Sequence, residues 1–148
     1  MNNLIMFIAT GFYSGYLPIA PGTWGSLVAL PLNFLLLKLS PSYYAMALII
    51  IFILAVATAG SAEKIIDRKD PGAVVIDEII GMLITLIGAP FTPLAWAAGF
   101  LLFRLFDVWK PFPVSWADRH LNGGLGIVLD DVLAAAYALL CMQIFRLW

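Results

Sequence analysis

The stretch SYYAMALIIIFILAVATAGSAEKIIDRKDPG, residues 42–72, decides the fold. No charged side chain lies between Leu39 and Ala62, and six then fall within the eight residues Glu63–Asp70. A helix needs about 20 consecutive apolar residues to cross the hydrocarbon of a bilayer. The pattern therefore predicts a helix of membrane-crossing length from about Ser42 to Ile66, with one solvated end and a stop at Pro71-Gly72.

The same texture continues on both sides. Charge-free runs extend from Met1 to Leu37, from Ile79 to Phe103 and from Val132 to Phe145. Of 148 residues, 63% are hydrophobic and 11% charged, against roughly one quarter charged in a soluble domain. The length fits one domain, residues 1–148. A net charge of −1 lacks the concentrated positive charge that nucleic acid or another polyanion requires as a partner. The single cysteine, Cys141, has no internal partner and reads as a small packing residue. Met1-Asn2-Asn3-Leu4-Ile5-Met6 lacks the basic side chain of a cleavable signal, so the N-terminus is expected to be retained.

Around the 42–66 helix the breakers divide the chain into an all-α integral membrane bundle of about five short helices. A first helix from about Trp24 to Leu39 follows Pro18–Ser26, whose two prolines and two glycines read as irregular, with Thr23 or Ser26 as its cap. A third runs from near Val74 to Gly88-Ala89-Pro90, a fourth from about Pro93 to Trp109 before Pro111, and a fifth from about Ile127 to Leu147 after a polar segment, Pro111–Gly126. If all five cross the membrane, Lys64, Arg68, Lys69, Arg104, Lys110 and Arg119 share one side, opposite Lys38 and Arg146. The positive-inside rule makes that side cytoplasmic. The same threading carries Asp77, Glu78, Asp107, Asp118, Asp130 and Asp131 to that face.

Asp77-Glu78 and Asp130-Asp131 are adjacent carboxylate pairs, each leading into an apolar helix. Burying them costs several kcal/mol unless a cation or a partner offsets it. One reading is a hard divalent cation such as Mg²⁺, which takes carboxylate oxygens, waters and a substrate phosphate; the other is that the acids cap helix N-termini at the interface. Arg104, Asp107 and Lys110 are spaced to share a helix face, as a salt-bridge ladder or as a clamp on an anion. Arg119 and Lys110 suit phosphate oxygens. Pro21–Ser26 and Gly123-Gly124-Leu125-Gly126 either present backbone N–H groups to a phosphate or make tight turns. His120 is the sole histidine, either structural or an aid to proton transfer.

Four ordered blocks resemble the bacterial phosphatidylglycerophosphatase A family: Pro21-Gly22-Thr23-Trp24-Gly25-Ser26; Asp77-Glu78-Ile79-Ile80-Gly81; Phe103-Arg104-Leu105-Phe106-Asp107-Val108-Trp109-Lys110-Pro111; and Asp118-Arg119 followed by Gly123–Ile127 and Asp130-Asp131. The resemblance implies a Mg²⁺-dependent hydrolase that removes the terminal phosphate of phosphatidylglycerophosphate to give phosphatidylglycerol. It places the protein in the bacterial cytoplasmic membrane, with a phospholipid substrate inside the bilayer. On that basis Asp77, Glu78, Asp130 and Asp131 are expected to coordinate the cation, directly or through water. Arg104, Lys110, Arg119 and Thr23 are expected on the substrate phosphate, and Asp107 as base or further ligand. The expected catalytic set is Asp77, Glu78, Asp107 and Asp131. The chain has no Asp-x-Asp-x-Thr nucleophile motif, no Cys-x5-Arg loop and no histidine pair, which leaves metal-assisted attack of water.

Two other classes are open to such a chain. A small transporter or channel subunit predicts charges spread through the membrane depth, whereas here the helix middles carry none. A non-catalytic scaffold of a lipid-synthesis complex has no need of convergent carboxylates. The oligomeric state is not encoded in any of these patterns.

Overall fold

Proline and the left-handed backbone region set most of the helix boundaries. Helices α2 (Pro21–Leu36), α3 (Pro41–Ile66) and α5 (Pro93–Trp109) each begin on a proline, whose missing N–H would have had no partner in the first turn. The Thr92 hydroxyl caps α5 by accepting from the Ala95 N–H at 3.2 Å. Helix α3 ends at Asp67, φ 55°, and α5 at Lys110, φ 49°, where the chain leaves the helical path. The remaining helices are α1 (Asn2–Ala9), α4 (Ile76–Thr85), α6 (Val114–His120) and α7 (Gly123–Phe145). The computed structural model describes residues 2–145, and among them there are seven α-helices, one short 3-10 turn at Ser14–Tyr16, and no strand.

The described residues form seven α-helices where five are expected; a helix stands near each of the five expected positions, with shifted ends. Helix α2 starts at Pro21, so Pro21–Ser26 is helical and only the residues before it are irregular. Neither Thr23 nor Ser26 caps it: the capping position is Ala20, and the Ser26 hydroxyl donates back to the Gly22 carbonyl at 2.8 Å. Helix α7 starts at Gly123, which puts the Gly123–Gly126 run in its first turn. Helix α4 spans ten residues, shorter than the expected Val74–Gly88. The additional helices α1 and α6 have eight and seven residues, too short for the periodicity of their sequences to declare them. Arg146 and the predicted end of the last helix at Leu147 lie outside the described residues.

Helix α4 is the centre of the bundle. Eight of its ten residues are buried, and α2, α3, α5 and α7 all pack against it. The Val75 N–H donates to the Ala9 carbonyl at 2.9 Å, anchoring the entry to α4 on the end of α1. The Tyr137 hydroxyl donates to the Phe112 carbonyl at 2.8 Å, holding the chain before α6 against α7. Helices alternate in direction, so the start of α4, the ends of α3 and α5 and the start of α7 meet at one end of the bundle.

Small residues face inward and large ones outward on α3. Ala55, Thr58, Ala59 and Ala62 are buried, while Tyr43, Met46, Ile49, Ile50, Ile53 and Leu54 are exposed. Two helices, α3 and α7, are long and apolar enough to cross a membrane. At 1.5 Å per residue, α4 is only about 15 Å long, so the expectation of five full crossings does not carry over to it.

Where α3 and α7 cross, a Cβ on Gly124 would lie 1.9 Å from the Val56 carbonyl oxygen and 2.7 Å from the Gly60 nitrogen. Both neighbours are backbone, so the helices must separate to admit a methyl group. Gly124→Ala is expected to cost about 1–3 kcal/mol, the range for overpacking, and to lower the thermal midpoint in detergent by several degrees. Gly72→Ala, where the added atom meets nothing within 4 Å, is expected to leave the midpoint in place.

Candidate cation and phosphate site

Helix α4 begins with its charge: Asp77 and Glu78 occupy its first turn, where the helix dipole favours anions. Asp131 meets them from the second turn after Leu125 on α7, and each of the three offers an oxygen within 4.8 Å of the others. Asp77 and Asp131 are only 7% and 4% exposed. Asp77 Oδ1, Glu78 Oε2 and Asp131 Oδ2 are buried without a hydrogen-bond partner. Asp107, on α5, lies against Asp131 and near Glu78.

Among the described residues only Arg104 answers this negative charge directly. Its Nη1 donates to Asp107 Oδ2 at 2.6 Å and stands 4.0 Å from Glu78 Oε1. Two of the four carboxylates, Glu78 and Asp107, therefore share one guanidinium, and Asp77 and Asp131 have no ion-pair partner among the described residues. Burial holds the Asp77 carboxyl well above the usual carboxylate range, and the adjacent Glu78 charge pushes it further the same way. Glu78 is also raised, chiefly by burial. A cluster of oxygen donors with orphaned lone pairs and excess negative charge fits a hard divalent cation, whose opposite ligands stand about 4–5 Å apart.

Asp130 does not join this cluster. Successive helical residues point about 100° apart, and Asp130 turns to Lys110 Nζ at 2.8 Å instead. Asp118 of α6 is paired with the same ammonium. Nor does Lys110 extend the Arg104–Asp107 ladder: at φ 49° it has left the helix, so only the Arg104–Asp107 rung forms. Burial lowers the Lys110 pKa, but its two carboxylate partners outweigh that and raise it. Beside this ion-pair triad is a cavity of about 300 Å³ lined by Glu63, Lys69, Asp70, Asp118, Asn122 and Asp130.

The remaining expected phosphate ligands are placed differently. Arg119 is exposed on α6 and has no ion-pair partner among the described residues. Thr23 is half-buried in the first turn of α2, next to Gly22, whose backbone faces both Glu78 and Arg104. His120 stacks on Trp116, ring centroids 5.4 Å apart, and its Nδ1 lies 2.9 Å from the Trp116 carbonyl oxygen, which ties it to its own helix. Two participants escaped the sequence reading. Asp118 was visible only as an acid of the charged face, and the approach of Gly22 to Glu78 spans residues far apart in the chain.

The sequence matches the family model described as Phosphatidylglycerophosphatase A over residues 7–146. It is 42% identical over 135 residues to Phosphatidylglycerophosphatase A of Escherichia coli strain K12, covering 90% of this chain and 78% of that protein. It is 38% identical over 148 residues to the Haemophilus influenzae protein of the same name, covering 99% and 91%. A Bacteroides thetaiotaomicron protein, provisionally named a phosphatidylinositol-3-phosphatase, is 36% identical over 151 residues, covering 97% and 94%. No solved structure matches significantly. The residues that converge at the start of α4 and along α7 all fall within the matched region, and the chain belongs to the phosphatidylglycerophosphatase A family.

Proposed function

We propose that this protein hydrolyses the terminal phosphomonoester of phosphatidylglycerophosphate, releasing phosphatidylglycerol and inorganic phosphate, at a Mg²⁺ site made by Asp77, Glu78 and Asp131. The observation that carries the site is the meeting of three largely buried, unpartnered carboxylate oxygens from two helices. Family membership supports the substrate, since two relatives bear that activity in their names. Bound there, a divalent cation supplies Lewis acidity toward the phosphoryl group and acidifies the attacking water.

The chain's own residues account for the rest. Asp107, which lies against Asp131 and is held by Arg104, takes the proton of the water in this reading. Arg104, half-buried between Glu78 and Asp107, keeps further N–H groups for a phosphate oxygen. Lys110 and Arg119 supply positive charge at the outer rim, and Thr23 a hydroxyl on the α2 side. Asp130 acts on Lys110 and not on the cation.

The membrane reading belongs to the same proposal. Outward-facing Ile49, Ile53, Leu94, Leu101 and Val108 suit lipid, and small residues between helices are what membrane packing favours over large ones. With the α3–α4 and α5–α7 connections inside, the site opens on the cytoplasmic face of the bacterial membrane. Acyl chains then stay in the bilayer while the headgroup enters at the helix ends.

Phosphate release from phosphatidylglycerophosphate by the purified protein in detergent tests this. Release is expected with Mg²⁺ and not with EDTA. Asp77→Asn and Asp131→Asn are each expected to lose at least about 100-fold, since removing merely a hydrogen-bond partner of a metal ligand costs about 10–100-fold. Asp130→Asn is expected to lose less and to keep its Mg²⁺ response. Preference for phosphatidylinositol 3-phosphate would move the substrate to that of the Bacteroides relative's name, and no release from folded wild type on either lipid would remove the enzymatic reading.

A second expectation follows from the raised Asp77 carboxyl. Between the ordinary carboxylate range and that raised value the folded state holds a proton that the unfolded chain has released. In EDTA, stability should therefore fall as pH rises above the ordinary carboxylate range, by up to about 1.4 kcal/mol per pH unit for each such proton. Mg²⁺ competes with the proton, so its stabilising effect should be larger at pH 8 than at pH 5 and absent in Asp77→Asn. Thermal unfolding at the two pH values, with and without Mg²⁺, measures both slopes.

A further inference from the structure

The Pro21–Ser26 block is neither an irregular loop nor a turn, and its first glycine has no positive φ to explain it. Within a helix, glycine is less favourable than alanine. What Gly22 provides is space: a Cβ there would lie 2.2 Å from Glu78 Oε1 and 2.9 Å from Arg104 Nη1. Gly15 and Gly25, on either side of it, face a different kind of obstacle. Gly15 would meet the Ala73 carbonyl oxygen at 2.1 Å, and Gly25 would meet Val75 Cβ at 2.7 Å and the Val75 carbonyl oxygen at 3.0 Å. Substitution at those two must move the backbone leading into α4. At Gly22 the obstacles are the ends of two flexible side chains, which can swing aside while the fold stays.

We infer that Gly22 is a positioning residue, its bare α-carbon forming the wall that holds the Glu78 carboxylate toward Asp77 and Asp131 and keeps the Arg104 guanidinium on Asp107. This rests on the reading of Glu78 as a cation ligand. Filling the space with a methyl group turns Glu78 Oε1 away from α2 and displaces the Arg104 fork with it. Shortening the acid by one methylene, as in Glu78→Asp, makes room again. The two changes should therefore compensate each other, which a general packing defect would not produce.

Mn²⁺ binding to the purified protein, followed by electron paramagnetic resonance of the free ion, reads this without turnover, beside kcat and KM for phosphatidylglycerophosphate. Gly22→Ala is expected to weaken Mn²⁺ binding at least about tenfold and to lower kcat with KM little changed. Its thermal midpoint in EDTA should equal or exceed that of wild type. The double variant Gly22→Ala/Glu78→Asp is expected to bind Mn²⁺ more tightly than Gly22→Ala alone. Wild-type affinity in Gly22→Ala, a midpoint lowered by several degrees, or a double variant no better than the weaker single would each overturn the positioning role. Wild type that binds no Mn²⁺ would overturn the cation reading beneath it as well, and so separates the two failures.

Discussion

The burial of Asp77, Glu78 and Asp131 against one another is the constraint on which the rest of the structure turns. Three carboxylates from α4 and α7, with Asp107 beside them, are held where water is scarce and, among the described residues, only Arg104 offers a positive charge. Such an arrangement is unstable by itself. It persists because the helices carrying it are fixed by apolar packing elsewhere: Ile79, Ile80, Met82, Leu83 and Leu86 along α4, and Phe103 from α5 against Gly81. The apolar half of the bundle thus stabilises the helices, and the acidic end is forced into proximity as a consequence. Carboxylates held in this way stay gathered whether or not anything binds them, since the packing that fixes them does not depend on the site.

The architecture follows the same logic at larger scale. A ten-residue central helix surrounded by longer ones places its charged first turn beside the helix ends and its apolar remainder in the interior. On α3 the close approach to α7 requires Ala59, Gly60 and Ala62 on the inner face, which leaves the bulky residues outside. In water this inversion would expose apolar surface at a cost of about 25 cal/mol per Å². In lipid the cost vanishes and close helix contact becomes the main source of cohesion.

Much of this was legible in the sequence, and the illegible parts have identifiable causes. The long helices announced themselves because charge-free runs between prolines admit few alternatives, and the acidic face followed from alternation alone. The short helices α1 and α6 left no comparable periodic signal. Three of the four expected cation ligands converge, whereas Asp130 does not, because adjacency in sequence hides the 100° that separates neighbours on a helix. Lys110 was read on the Arg104 face since spacing assumes a continuous helix, and one left-handed residue breaks that assumption. The proximity of Gly22 to Glu78 depends on how α2 docks on α4, information that no local pattern contains.

The turn at Lys110 also makes a joint of three helices. One ammonium, at the end of α5, is grasped by Asp118 of α6 and Asp130 of α7, and Asp130 is the immediate neighbour of Asp131. An anion arriving at the outer rim and drawing on that ammonium must slacken its hold on α7 one residue away from the buried carboxylate cluster. The occupancy of the rim and the posture of the acidic cluster are therefore mechanically linked through a single side chain.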